Sequence, residues 1–535
     1  MRFVRTAVLA AGLLLSGAST AEPRSDVVPY LEVQQVLTAD LNGGGDVLTY
    51  TALAAGVDAT VETRSVQAQA SYRYERRIAW EDDLVDEDIH TGLAQARVQV
   101  VPGSVVMEAG ALAARARGDA GAPILGFSTS DDPGVSEVYS AYMGPSVSTQ
   151  AGPLTVNAAY RLSYVKVDDH GLAGLPPVPG AERDRYNSAT GHLATVSVGM
   201  DPGELPVGWT VGAGYAREDV DRLDQTYEGK YVRADVVVPV SPTFAVTGGI
   251  GYEDIAIKQA DILRDSNGIP VVTPGGNLVA DPGAPRILTY DQDGMIWDVG
   301  VIWRPTRRTE LQARFGERYG GTTVTASLQH RFRSGWGVSV LVYDSVDSFG
   351  RLLTTNLQGV PVDFDMRRNP LFNNVGGIGG CVFGGETGSG VCFDDALQTI
   401  NSSNFRNRGA TILFSGSRGP WGFNFGGGYA NRRYIEPVGF ALNRVTDESV
   451  TLQAGASRAL SPTSELNFDA YASWYDSDRL LDASAFGSGI TGSYTRRFLL
   501  DRLEAQAALG LFHADSNNSD ATTAASALLG LRYSF

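Results

Sequence analysis

Cysteine is almost missing from this 535-residue chain, which has two, Cys381 and Cys392. That excludes a small scaffold held together by several bridges. Histidine is scarce too, at five residues: His90, His170, His192, His330 and His513. None forms a close metal pair, and neither an HExxH nor a GxSxG sequence occurs. His170 beside Asp168 and Asp169 is the nearest approach to a catalytic grouping. The polarity of an outer loop explains that cluster more simply, so no catalytic residue and no cofactor is assigned. Basic excess is also absent. With 43 Lys and Arg against 60 Asp and Glu the formal charge is -17, which argues against nucleic acid as a partner. Beyond the amino terminus no continuous apolar run is long enough for a membrane helix.

What is present begins with "MRFVRTAVLAAGLLLSGASTA". Arg2 and Arg5 precede an apolar run from Ala7 to Leu15, and Ser19 and Ala21 are small residues at cleavage-site positions. This reads as a secretory signal over residues 1–21, leaving 22–535 as the exported protein. Loss of the two arginines takes the formal charge from -17 to -19.

Glycine (63 residues) and tyrosine (22) are abundant, as many strands joined by turns require. In "SVQAQASYRYERR" Val66, Ala68, Ala70, Tyr72 and Tyr74 share one face of an extended segment, and Gln67, Gln69, Ser71, Arg73, Glu75 and Arg77 the other. The closing "ALLGLRYSF" places Ala527, Leu529, Leu531, Tyr533 and Phe535 together. This period of two recurs about 22 times, with 18 to 24 the range the pattern allows. The connections alternate between short turns, such as "PGS" at 102–104 and "SPT" at 241–243, and longer polar stretches, notably 256–293 and 345–403. Alternating loop lengths, strands of ten or more residues and one apolar face predict an all-β fold. The expectation is a transmembrane antiparallel β-barrel in the outer membrane of a Gram-negative bacterium, with short periplasmic turns and long extracellular loops. Trp209, Trp303, Trp336, Trp421, Phe244 and Phe535 stand beside short turns, as an interfacial belt requires.

The segments "VVPYLEVQQVLTAD" (27–40), "WRPTRRTELQARFGERYGGTTVTASLQHRF" (303–332) and "LGLRYSF" resemble the beta-barrel porin 2 type. Some members of that group accompany exopolysaccharide loci. The resemblance implies a barrel in contact with outer-membrane lipid and lipopolysaccharide, with polysaccharide as a further partner. Tyr533 and terminal Phe535 resemble the signal read by the barrel-assembly machinery. The resemblance carries over neither a catalytic residue nor a substrate.

The inward-facing charges expected from the alternation are Arg73, Glu75, Arg77, Arg97, Arg161, Arg233, Asp235, Glu310, Arg314, Glu465 and Asp469. Either they line an aqueous route or they pair with one another across strands. A barrel of this size is usually filled. Energy-coupled receptors of similar strand number need a plug domain ahead of the first strand; no stretch of useful length stands there, so the expected filler is a loop. Residues 345–403 suit that part, with Cys381 and Cys392 closing a ring of 12 residues. "DLNGGGD" sets Asp40, Asn42 and Asp46 like a small calcium loop, although it lacks the Glu that such loops carry. The expected function is passive diffusion of small polar solutes or saccharides through a channel or export conduit. The alternatives are a non-conducting scaffold for envelope or exopolysaccharide assembly and, third, an enzyme active at the rim.

Overall fold

The computed structural model describes residues 24–42, 47–80, 86–117, 135–169, 186–271, 273, 278–366, 371, 380–397, 400–437, 445–478, 483–517 and 519–535. The expected signal segment lies outside them.

Period-two sequence becomes a single sheet of 22 antiparallel strands. The first strand, Arg24–Asp40, pairs with the second along its length and with the last, Ser519–Ser534, from Tyr30↔Ser534 to Asp40↔Ala524, so the sheet closes into a barrel. Closure pairs the outer edges of the first and last strands, which an apolar surround would not tolerate free. Each strand observed in the ring corresponds to one expected from the alternation. The largest displacement is in the strand Ile287–Thr306, which begins inside the stretch read as a loop over 256–293.

The two faces separate as the pattern requires. Leu529, Leu531, Tyr533 and Phe535 are exposed on the outer face, and Leu528, just before them, is buried inside against Val36 and Phe512. Along the short-turn end Trp336 stacks on Phe414 and Phe423 with ring centres 5.0 and 5.7 Å apart, and Trp421 stacks on Phe423 at 5.9 Å. Trp303 and Phe244 are directly opposite each other on neighbouring strands.

Loop length alternates less strictly than expected. On the long-loop side the hairpin Thr309–Arg331 turns in two residues, Tyr319 and Gly320, both with positive φ (55° and 69°). That is the backbone of a type I′ hairpin, which favours Asn-Gly and here carries a tyrosine. The longest connection, between Trp336–Asp347 and Asn404–Arg418, forms structure of its own. It holds helix α1 (Phe349–Gly359), a three-stranded sheet of Phe364–Asp365, Cys381–Gly384 and Gly390–Cys392, and a short helix α2 (Asp394–Leu397).

Candidate functional site: the barrel interior and its insert

The insert is folded inside the barrel. Ser348 caps α1 by accepting from the Arg351 backbone N–H, and its hydroxyl donates to Glu218 of the wall at 2.5 Å. Arg351 reaches the same carboxylate at 3.0 Å and lies over the Tyr227 ring at 3.5 Å. One face of α1 carries Phe349, Leu352, Leu353 and Leu357, the last two fully buried. They pack with Leu112, Ala114, Val138, Val165 and Val167 from the inner wall. Wall side chains also hold the insert's backbone. Gln95 donates to the Leu357 carbonyl and Gln69 to the Phe364 carbonyl, each at 2.6 Å. Leu371 packs at the seam between the first and last strands, against Val36, Phe512 and Leu528.

Cys381 and Cys392 stand opposite each other in the small hairpin and are joined by a disulfide. The Cys381 N–H donates to Gln453 of the wall at 2.8 Å, and the Gly388 N–H to Ser415 at 2.7 Å. Two wall glycines permit this approach. A Cβ on Gly337 would stand 2.1 Å from the Thr387 carbonyl oxygen, and one on Gly426 would stand 2.3 Å from Cys381 Sγ. Asp394 is close by, 3.8 Å from that sulfur, and burial pushes its carboxyl up to about 7. Its neighbour Asp395 accepts from Asn356 at 3.0 Å and Tyr343 at 3.1 Å. Both cysteine sulfurs are spent in their mutual bond, so the group Cys381, Cys392 and Asp394 is no metal centre as it stands.

Most of the charges expected to face inward meet partners, on their own strand or one to three strands away. Arg73 reaches Glu75 at 3.0 Å and Glu32 at 3.7 Å; Arg77 reaches Glu75 at 2.8 Å and Glu87 at 3.4 Å. Arg233 and Arg314 each contact both Asp235 and Asp298, at 2.6 to 3.2 Å, in a closed four-member lattice. Arg161 pairs with Glu108, and Arg97 approaches the same carboxylate at 3.8 Å. Glu310 pairs with exposed Arg304 at 2.8 Å near a short turn. Glu465 and Asp469 stand on the inner parity of their strand, since Phe468 and Trp474 are exposed on the outer one. Sequence reading missed Glu32, Glu87, Glu108, Asp298 and Glu218, acids on the inner parity of their strands. It also missed Arg351, Gln95 and Gln69, whose roles depend on where the insert lies.

The remaining candidates are less assembled. Asp40 accepts from the Asn42 N–H at 2.8 Å, a turn contact, and Asp46 lies outside the described residues. His170 also lies outside them, and Asp168 pairs with Lys166. The Tyr533 and Phe535 rings meet edge-on at 5.1 Å, and the Phe535 N–H donates to the Pro29 carbonyl at 3.0 Å, tying the terminus to the first strand.

No protein-family model and no curated protein matches the chain. Among solved structures, it is similar to the FrpB iron transporter of Neisseria meningitidis at 11% identity and a TM-score of 0.45, covering 98% of this chain and 82% of that one. It is similar to the ferric-catecholate import receptor Fiu of E. coli at 10% and 0.47, covering 96% and 83%. The siderophore receptor PiuA of Acinetobacter baumannii gives 9% and 0.42, covering 94% and 82%. Likeness at this level carries no functional information.

Proposed function

We propose that the chain is an outer-membrane transport barrel whose interior is gated by its own insert, and that small polar solutes or saccharides pass when the insert yields. The observation that carries this reading is the docking of the insert at two nearly opposite places on the inner wall, α1 at one and the disulfide hairpin at the other. An apolar outer face and a charged inner face suit a barrel with lipid outside and a polar interior. The docked insert separates this reading from a permanently open pore. The cross-strand ion pairs belong to the wall's own cohesion, and those with solvent access set the charge a passing solute meets. The test is single-channel recording of the refolded protein in a planar bilayer, first with the disulfide intact and the insert docked. The expectation is rare, brief steps that become frequent when the insert is loosened. Silence from folded barrels in both states would favour the second reading, a scaffold for envelope or polysaccharide assembly, which the filled interior also suits.

A further inference from the structure

The barrel wall is not zipped along its whole height. Strand Glu87–Val101 pairs with Val105–Arg117 only from Gly92↔Ala113 to Val101↔Val105; no ladder joins 87–91 to 114–117, all described residues. Strand Gly321–Arg331 likewise meets Trp336–Asp347 only from Ala326↔Val342 to Arg331↔Gly337, leaving 321–325 and 343–347 unjoined. The short Tyr319–Gly320 hairpin widens this second split, since Trp297↔Glu317 is the last pair between Ile287–Thr306 and its neighbour. Both splits lie on the long-loop half. They divide the ring into an arc of ten strands, Val105–Arg117 through Gly321–Arg331, and an arc of the other twelve.

Side chains replace the missing ladder at each split. At the first, Glu137 accepts from the His90 backbone N–H at 3.2 Å, and Arg115 reaches Glu87 at 3.2 Å. Leu112, Ala114 and Ala116 face the interior, so strand alternation starts Arg115 on the outer face. It is nonetheless buried, because the edge of its arc tucks inside the next. At the second split Arg406 and Arg408 both donate to the Thr322 carbonyl, at 3.1 and 3.0 Å, and both pair with Asp344. Val346 shares the outer parity of Val340, which is opposite exposed Ile412, yet it packs against inward-facing Tyr227, Ile255 and Ile257. One arc edge therefore overlaps the inside of the other at both splits. Helix α1 spans the division: it follows the last residues of Trp336–Asp347, in the twelve-strand arc, and buries its apolar face on the ten-strand arc.

We propose that the long-loop half of the barrel is two arcs that part along these splits, with α1 as the latch that holds them together. The purpose of the motion rests on the transport reading; its mechanics do not. Unpaired sheet edges held by side chains separate without breaking a backbone ladder, so motion concentrates there and the short-turn half stays closed.

Spin labels at Leu41→Cys and Lys258→Cys sit on different arcs at nearly opposite points of the ring, and labels at Lys166→Cys and Lys258→Cys share the ten-strand arc. Pulsed electron spin resonance is measured on the full chain, disulfide intact, with and without Leu353→Ala, Arg406→Ala and Arg408→Ala together. The expected result is a second inter-arc population longer by about one strand spacing, ~5 Å, with the within-arc distance unmoved. Unchanged distances for both pairs, or equal broadening of both, would overturn the proposal. Should the combined variant not fold, Leu353→Ala alone, which loosens α1 and leaves both wall edges as they are, must give the same longer population; its absence has the same consequence. Bilayer current is recorded in parallel. Arcs that part without current remove the transport reading and keep the arcs, and current through arcs that stay together does the reverse.

Discussion

Truncating Leu353 to alanine tests whether α1 keeps the barrel shut. The side chain is fully buried between the insert and the inner wall, among Leu112, Val138, Val165 and Val167. Leu→Ala at such sites costs about 2–5 kcal/mol, because transfer free energy is lost and a cavity remains. Taking ~3 kcal/mol at RT of ~0.59 kcal/mol, the ratio of undocked to docked insert rises by roughly 160-fold. The wall should tolerate the change, since each strand keeps its own ladder of backbone hydrogen bonds. Two readouts on the same refolded protein separate the outcomes. Amide exchange in α1 should quicken by about the same factor, and the probability of an open state in a planar bilayer should rise with it. Faster exchange with unchanged current would refute the argument, since α1 would then leave the wall without opening a route. Unchanged exchange would refute the premise that this leucine anchors the helix.

Reducing the Cys381–Cys392 disulfide removes a 12-residue ring closure worth about 3 kcal/mol in chain entropy. The segment between the cysteines should become cleavable by added protease under conditions that leave the oxidised protein intact. Gly426→Ala and Gly337→Ala each set a Cβ within 2.3 Å of the insert hairpin, whereas at Gly248 the nearest atom is 3.9 Å away. The first two should displace the hairpin and raise open probability, and Gly248→Ala should behave as the parent. Asp394 supplies a pH dependence. Burial raises its carboxyl to about 7, so the docked form holds a proton that the undocked form releases above the ordinary carboxylate range. Docking should therefore be strongest at low pH and weaken as pH rises from about 4 to 7, with little further loss above that. Neighbouring Asp395, held by Asn356 and Tyr343, adds to the effect by repulsion. Asp394→Asn should flatten the profile of α1 amide exchange against pH; an unchanged profile would assign the dependence elsewhere.

The barrel was legible because its signal is local. Alternation over ten or more residues needs only neighbours in sequence, and strands such as Val66–Ala79 or Leu154–Asp169 begin within a residue of where their side chains place them. The cysteine pair was legible for the same reason, being close in sequence and in a glycine-rich setting. The interior was not. Glu218 and Arg351 are 133 positions apart and meet only because the insert turns inward. Nothing in "SFGRLLTTNLQG" tells a docked helix from one displayed outside, as an amphipathic face suits either a barrel wall or another surface. The splits were hidden for a different reason. Strands 321–331 and 336–347 both alternate, and periodicity does not record which of their residues find a partner.

The insert also reaches the seam at which the barrel closes. Its two ends join neighbouring, fully paired strands, so topologically it is one oversized turn. Its tip residue Leu371 rests on Val36, Phe512 and Leu528, which belong to the first strand and the last two. The first and last of these strands meet only at closure of the ring. A segment from the middle of the chain therefore clasps from inside the joint between the chain's two ends, so loosening the insert also loosens the seam.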